Sequence, residues 1–145
     1  QIMEFFLKSD YDKLIILNSD MILKQGAIDI VKSIDLDSDL TIPLPNIDDH
    51  HIDHGIREID WGFPGIMIVL SKKMCELVYP IPESLKIWFG DDWIYRRLKK
   101  HGYNLRIFYN LKAKHSGSRS ISSVKEASDI IEQDKLNWNN EKNKI

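Results

Sequence analysis

The sequence predicts an α/β fold, in which buried strands alternate with amphipathic helices. Two short apolar runs rich in β-branched residues, Lys13–Leu17 and 65–70, are typical of strands buried on both faces, as in a parallel sheet. The first run leads through a polar turn into residues 25–34, and the second leads directly into residues 71–78. Both following segments carry apolar residues at helical spacing, which favours layered strand and helix architecture.

The same patterns predict the remaining elements. We expect further helices at Ile2–Lys8, 91–101 and 122–137, and further strands at 40–43, 57–61 and 103–109, the last extended by 113–115. Ser71 can cap the helix that follows it, and Gly102 is a normal helix stop. Residues 45–55 are predicted to form a polar loop. Because the chain has no repeat and no linker, we expect one domain over 1–145, with a frayed tail at 139–145.

Composition excludes some classes of partner. The formal net charge of -2 gives no electrostatic case for binding nucleic acid or an anionic membrane surface. No apolar run approaches the roughly 20 residues that a membrane-spanning helix needs. The single cysteine, Cys75, cannot form an internal disulfide and is predicted to be a buried thiol on a helix. This usage fits a reducing compartment, and we expect a cytoplasmic protein.

The strand at Lys13–Leu17 ends in a polar turn that contains a carboxylate, Asp20. In open α/β sheets ligands bind at the carboxyl ends of strands, so Asp20 could hold a hard cation and Asn18 could add an amide oxygen. A plain turn or helix cap is the alternative, because Asn, Ser and Asp are all turn formers.

A second candidate site lies where an acidic pair, Asp91 and Asp92, opens a predicted helix between aromatic residues. Desolvation by the aromatics would raise the basicity of either carboxylate, so that it could act as a general base. The alternative is a favourable interaction with the helix dipole. His115, at the end of a predicted strand, could be a metal ligand or a phosphate contact, or only a structural residue.

Two further features have weaker implications. Residues 48–54 hold six potential metal ligands in seven positions, but their spacing matches no zinc pattern. We therefore expect a solvated loop there. If this loop has a functional role, we expect it to contact an acceptor molecule. Trp61, Trp88 and Trp93 could offer flat apolar surfaces to a ligand, although core packing is the usual role of tryptophan.

Taken in order, these segments resemble the GT-A glycosyltransferases of family 2 and their relatives. The similarity lies in the apolar strand with an Asp-containing end at 14–20, the glycine-bearing strand at 62–71, the acidic pair and helix at 90–102, and the strand with a late His at 103–115. It extends from Leu14 to about Trp138. The order and spacing of the motifs carry the resemblance, since each motif alone is weak.

The resemblance implies a partial GT-A fold, a Rossmann-like mixed sheet flanked by helices. It implies that Asp20 and His115 bind Mn²⁺ or Mg²⁺ bridging the diphosphate of a nucleotide-sugar donor, with Asn18 and Gly65 near the donor. The cation would act as a Lewis acid on the leaving diphosphate.

In the same resemblance, Asp91 or Asp92 would deprotonate an acceptor hydroxyl, on a glycan or another molecule, and the sugar would be transferred with inversion. Trp61, Trp88 and Trp93 would contact the acceptor. The sequence departs from the family at Asn18, where an acid is usual, and at Asp91, where many members have Glu.

The chain corresponds to the C-terminal half of the family's domain. We therefore expect a longer chain, a partner or a second copy in a homo-oligomer to supply the nucleotide-binding half. The first alternative is a non-catalytic remnant or binding module of the same fold that lacks this half. The second is an unrelated metal-dependent hydrolase that uses Asp20, His115 and the loop at 48–54.

Overall fold

The structure is a computed structural model that describes residues 1–48, 53–60, 65–86, 89–116 and 127–145. A mixed sheet flanked by helices confirms the predicted α/β class. The elements, in chain order, are α1 Ile2–Lys8, β1 Lys13–Leu17, β2 Met21–Leu23, α2 Ala27–Ser33, β3 Thr41–Ile47, β4 Ile56–Ile59, β5 Met67–Ser71, α3 Lys72–Val78, α4 Gly90–Lys100, β6 Asn104–His115 and α5 Ala127–Glu141, with a 3-10 turn at Lys142–Lys144. None of these helices is long and apolar enough to cross a membrane.

The long strand β6 organises the larger sheet. It pairs in parallel with β3 on one side and antiparallel with β4 and β2 on the other. Strands β1 and β5 form a separate antiparallel pair, so the expectation of a parallel arrangement for these two apolar runs is wrong. An apolar run indicates that both faces of a strand are buried, but it does not show whether the neighbouring strand is parallel or antiparallel.

The two apolar runs also differ in burial. β5 is buried over its whole length, as predicted. β1 is only half-buried, and its last residue, Leu17, is 37% exposed. Within the described part of the chain β1 has β5 as its one hydrogen-bonded strand neighbour.

The helix after β5 forms as its sequence predicts. The Ser71 hydroxyl accepts a hydrogen bond from the backbone N–H of Met74 at 3.1 Å, which satisfies one free donor of the first turn. Met74, Cys75 and Val78 are completely buried on one face of α3 and pack into the main core. Cys75 is thus the predicted buried thiol.

One strand and the ends of two other elements differ from the sequence prediction. β2 was not predicted, because three residues carry too little pattern and its pairing with β6 is what makes it a strand. β3 continues through Pro43 and Pro45 into the predicted loop. This is possible because β6 is its only strand neighbour among the described residues, and prolines are tolerated at sheet edges. At the C-terminus, α5 runs on to Glu141 and the 3-10 turn follows it, so residues 139–144 have regular structure.

Candidate functional site

The candidate site is built where β1 ends and β6 ends. After β1 the chain makes a turn closed by a hydrogen bond from Met21 N to Asn18 O, and the turn places Asp20 beside the last residues of β6. The backbone N–H of Ser116 donates to Asp20 O at 3.0 Å, and β2 continues the register with Met21 opposite His115. The short, unpredicted strand β2 is therefore what holds the turn against β6.

Asp20 and His115 meet at this point although 95 positions separate them in the chain. His115 Nε2 lies 3.1 Å from Asp20 Oδ2, and the two side chains are 25% and 13% exposed, so both remain reachable from solvent. The structure thus brings together the two residues predicted to bind a metal ion.

The chemistry of this pair fits a divalent cation. A carboxylate oxygen and an imidazole nitrogen are both ligands for Mn²⁺, and Mg²⁺ accepts the carboxylate while keeping several water or phosphate ligands. The described residues contain no cluster of three or more His, Cys, Asp or Glu side chains, so the protein groups shown here would supply two ligands. Phosphate oxygens and water would have to fill the other positions.

Gly65, just before β5, links this strand end to the start of α4. It has a φ of +60°, a left-handed conformation that favours glycine. A methyl group built on its Cα would overlap Asp91 Oδ2 and lie 2.8 Å from Asp91 Cγ. The next residue, Ile66, accepts a hydrogen bond from Asn18 N at 3.1 Å. The Asp91 carboxylate therefore lies over a backbone segment that is hydrogen-bonded to the turn that contains Asp20.

The two acids that open α4 have different surroundings. Asp91 Oδ1 accepts the backbone N–H of Asp92 at 3.0 Å, and burial raises the pKa of Asp91 above its usual value. Burial also raises the pKa of Asp92, with a further contribution from the negative charge of Asp91, while Arg96 opposes the shift. Asp92 lines a surface groove together with Arg96. Both carboxylates are thus more basic than ordinary aspartates, as a general base requires.

The start of α4 is fixed by α5, an arrangement that the sequence did not predict. Phe89, in the left-handed region with φ +66°, stacks on Trp138 with ring centroids 5.5 Å apart. The Arg96 guanidinium lies over the same Trp138 ring at 5.3 Å. The fully buried Asp134 accepts the backbone N–H of Lys86 with both carboxylate oxygens, at 3.0 and 3.1 Å. The sequence predicts a C-terminal helix with acidic and aromatic residues, but it does not show which loop this helix contacts.

The predicted aromatic contacts are only partly tested. Trp93 is 8% exposed, its Nε1–H donates to Val78 O at 3.0 Å, and Arg97 covers its ring. This environment is that of a packing residue and disfavours the predicted acceptor contact. Trp61, Trp88 and residues 49–52 of the acidic loop lie outside the described residues. Asn18 is exposed, and its predicted contact with a donor stays a prediction.

Comparison of the chain with protein-family models, curated proteins and solved structures finds no match. Two features of the site itself point to function: a carboxylate and imidazole pair at one strand end, and an acid pair of raised pKa at the helix start connected to it.

Proposed function

We propose that this chain carries the metal-binding and acceptor-binding part of a GT-A type glycosyltransferase. Such an enzyme transfers a sugar from a nucleotide-diphosphate sugar to an acceptor hydroxyl. One observation carries the proposal: Asp20 and His115 lie 3.1 Å apart, and the turn that holds Asp20 is hydrogen-bonded to the segment beneath Asp91. The resemblance assigns residues of four separate segments to one reaction. These residues, Asp20, Gly65, Asp91 and His115, lie in segments that are connected to one another at one end of β1.

Each group has a role in this proposal. Asp20 and His115 would hold Mn²⁺ or Mg²⁺ at the donor diphosphate, where the bound cation supplies Lewis acidity that offsets charge on the leaving group. Asp91 or Asp92 accepts the proton of the acceptor hydroxyl, and its raised pKa increases its strength as a base. Direct attack by this hydroxyl on the anomeric carbon inverts the configuration of the sugar. A cytoplasmic location, supported by the single buried thiol of Cys75, belongs to the same proposal.

The decisive experiment is calorimetric titration with a panel of nucleotide-diphosphate sugars, with and without Mn²⁺. The protein is taken as its source produces it, so that any longer chain or partner that supplies the nucleotide-binding half is present. We expect Asp20→Ala to abolish the Mn²⁺-dependent part of donor binding. Asp29→Ala is the matched control, because it removes a carboxylate that is 85% exposed on α2. Unchanged Mn²⁺-dependent binding in the Asp20 variant would contradict the metal assignment.

The same samples separate the alternatives. Stable folding without metal-dependent nucleotide binding supports the non-catalytic remnant or binding module. Release of free sugar or phosphate in the absence of an acceptor supports a hydrolase.

A further inference from the structure

A basic groove lies on the surface beside the acid pair. Its volume is about 510 Å³, and α4 and the C-terminal 3-10 turn line it. Four of the lining side chains are cationic: Arg96, Lys99, Lys100 and Lys142. Asp92 lines the same groove, so a candidate general base and a concentrated positive charge share one surface.

The groove keeps an excess of positive charge although two of its cations have partners within it. Lys100 donates to Ile145 O at 2.6 Å, and the Asp92 carboxylate interacts with Arg96, but four cationic side chains face this single lining carboxylate side chain. Lys99 donates to the amide oxygen of Asn104 and Lys142 donates to the amide oxygen of Asn139, both at 2.7 Å, and these acceptors are neutral. The Asp60 carboxylate is 4.0 Å from Lys99 and 95% exposed, so solvent screens it strongly. The groove is therefore complementary to an anion.

We propose that this groove binds a phosphate ester carried by the acceptor, and so places the acceptor hydroxyl close to Asp92. The planar Arg96 fork can bind two phosphate oxygens at once, and the lysines add point charges. Tyr95 and the aliphatic stems of the cations give the sugar an apolar surface. Transfer to such an acceptor rests on the proposed function, whereas binding of the phosphate ester does not.

The test is calorimetric titration of the metal-free and nucleotide-free protein at low ionic strength. We expect glucose 6-phosphate to bind, inorganic phosphate to bind more weakly, and glucose not to bind. Lys142→Gln should weaken glucose 6-phosphate binding about threefold or more, and adding Arg96→Gln should weaken it about tenfold or more in total. Asp92→Asn should tighten binding, because it removes a negative charge from the groove.

Lys135→Gln is the matched control, since Lys135 is an exposed cation on α5, outside the groove, that pairs with Glu132. If Arg96→Gln unfolds the protein by removing the contact with Trp138, Lys142 still gives the answer, because its hydrogen bond to Asn139 lies at the surface. Equal affinity of the wild type and Lys142→Gln for glucose 6-phosphate overturns the proposal. Inorganic phosphate binding as tightly as glucose 6-phosphate also overturns it, since the groove would then be a simple phosphate site.

The outcome is independent of Asp20 and His115, because no metal ion and no nucleotide is present. Retained phosphate ester binding with no metal-dependent donor binding would refute the proposed function and leave the groove's ligand established. Donor binding with no phosphate ester binding would refute only the groove.

Discussion

Replacing Gly65 by alanine tests the contact that links the acid pair to the strand end. The new methyl group would overlap Asp91 Oδ2 and lie 2.8 Å from Asp91 Cγ. The carboxylate must therefore move, and in moving it loses the hydrogen bond that it accepts from Asp92 N. The φ of +60° adds a backbone cost, because side-chain-bearing residues rarely adopt that conformation.

The two contributions can be estimated separately. The left-handed conformation costs an alanine about 1–2 kcal/mol. A hydrogen bond to a charged group contributes about 1.5–3 kcal/mol when it is lost. Gly65→Ala should therefore lower the free energy of unfolding by about 2.5–5 kcal/mol.

Gly55→Ala is the control for the backbone contribution. Gly55 has a φ of +78°, and a methyl group there would have no atom within 4 Å. Urea denaturation monitored by circular dichroism gives the free energies of unfolding. In an Asp91→Ala background the cost of Gly65→Ala should fall toward that of Gly55→Ala, since the obstructing carboxylate is gone. Equal costs for the two glycine substitutions in the wild type would refute the close approach of Asp91.

Three further outcomes are expected. Asp91→Asn or Asp92→Asn, whichever removes the base, should lower turnover by at least about 100-fold in a transfer assay while the protein stays folded; full activity in both would refute the assignment. Because the folded-state pKa values of Asp91 and Asp92 are raised, the folded protein keeps protons on them that the unfolded chain has released. These two groups should therefore lower the free energy of unfolding as pH rises from about 4. The fall should be less steep in Asp92→Asn, as measured by comparing urea midpoints. Tyr103→Phe removes a fully buried hydroxyl that donates to Asp37 Oδ1 at 2.6 Å, and it should destabilise the protein by about 1–3 kcal/mol in thermal or urea unfolding; no change would show that Asp37 is satisfied without it.

Local pattern was sufficient for most elements of the fold. The helix α1, the strand β1 and the buried face of α3 all lie where apolar spacing predicts them. Pairing was not predictable in the same way. Whether β5 lies antiparallel to β1, and whether three residues of β2 become a strand, is decided by contacts with residues far along the chain.

The candidate site shows the same division. Asp20, His115 and Asp91 were selected from sequence because each lies at a predicted strand end or helix start, whereas Gly65 was selected through the resemblance, which implies that it lies near the donor. What sequence could not give is the support behind them. Trp138 stacks on Phe89 across a long separation in the chain, and no local signal specifies such a pair.

The two carboxylates of the acid pair have different positions and therefore different roles in the proposed reaction. Asp91 lies over Gly65, which is joined through Ile66 and Asn18 to the turn that contains Asp20, and its own helix holds one of its oxygens. Asp92 shares the basic groove with Arg96 and is therefore on the proposed acceptor side. A general base must reach the acceptor hydroxyl, which favours Asp92 as the base. In this assignment the negative charge of Asp91 raises the pKa of Asp92. On this argument Asp92→Asn loses turnover while it tightens phosphate ester binding, whereas Asp91→Asn loses less turnover and leaves that binding nearly unchanged. The reverse pattern would assign the proton transfer to Asp91 and separate the groove from the chemistry.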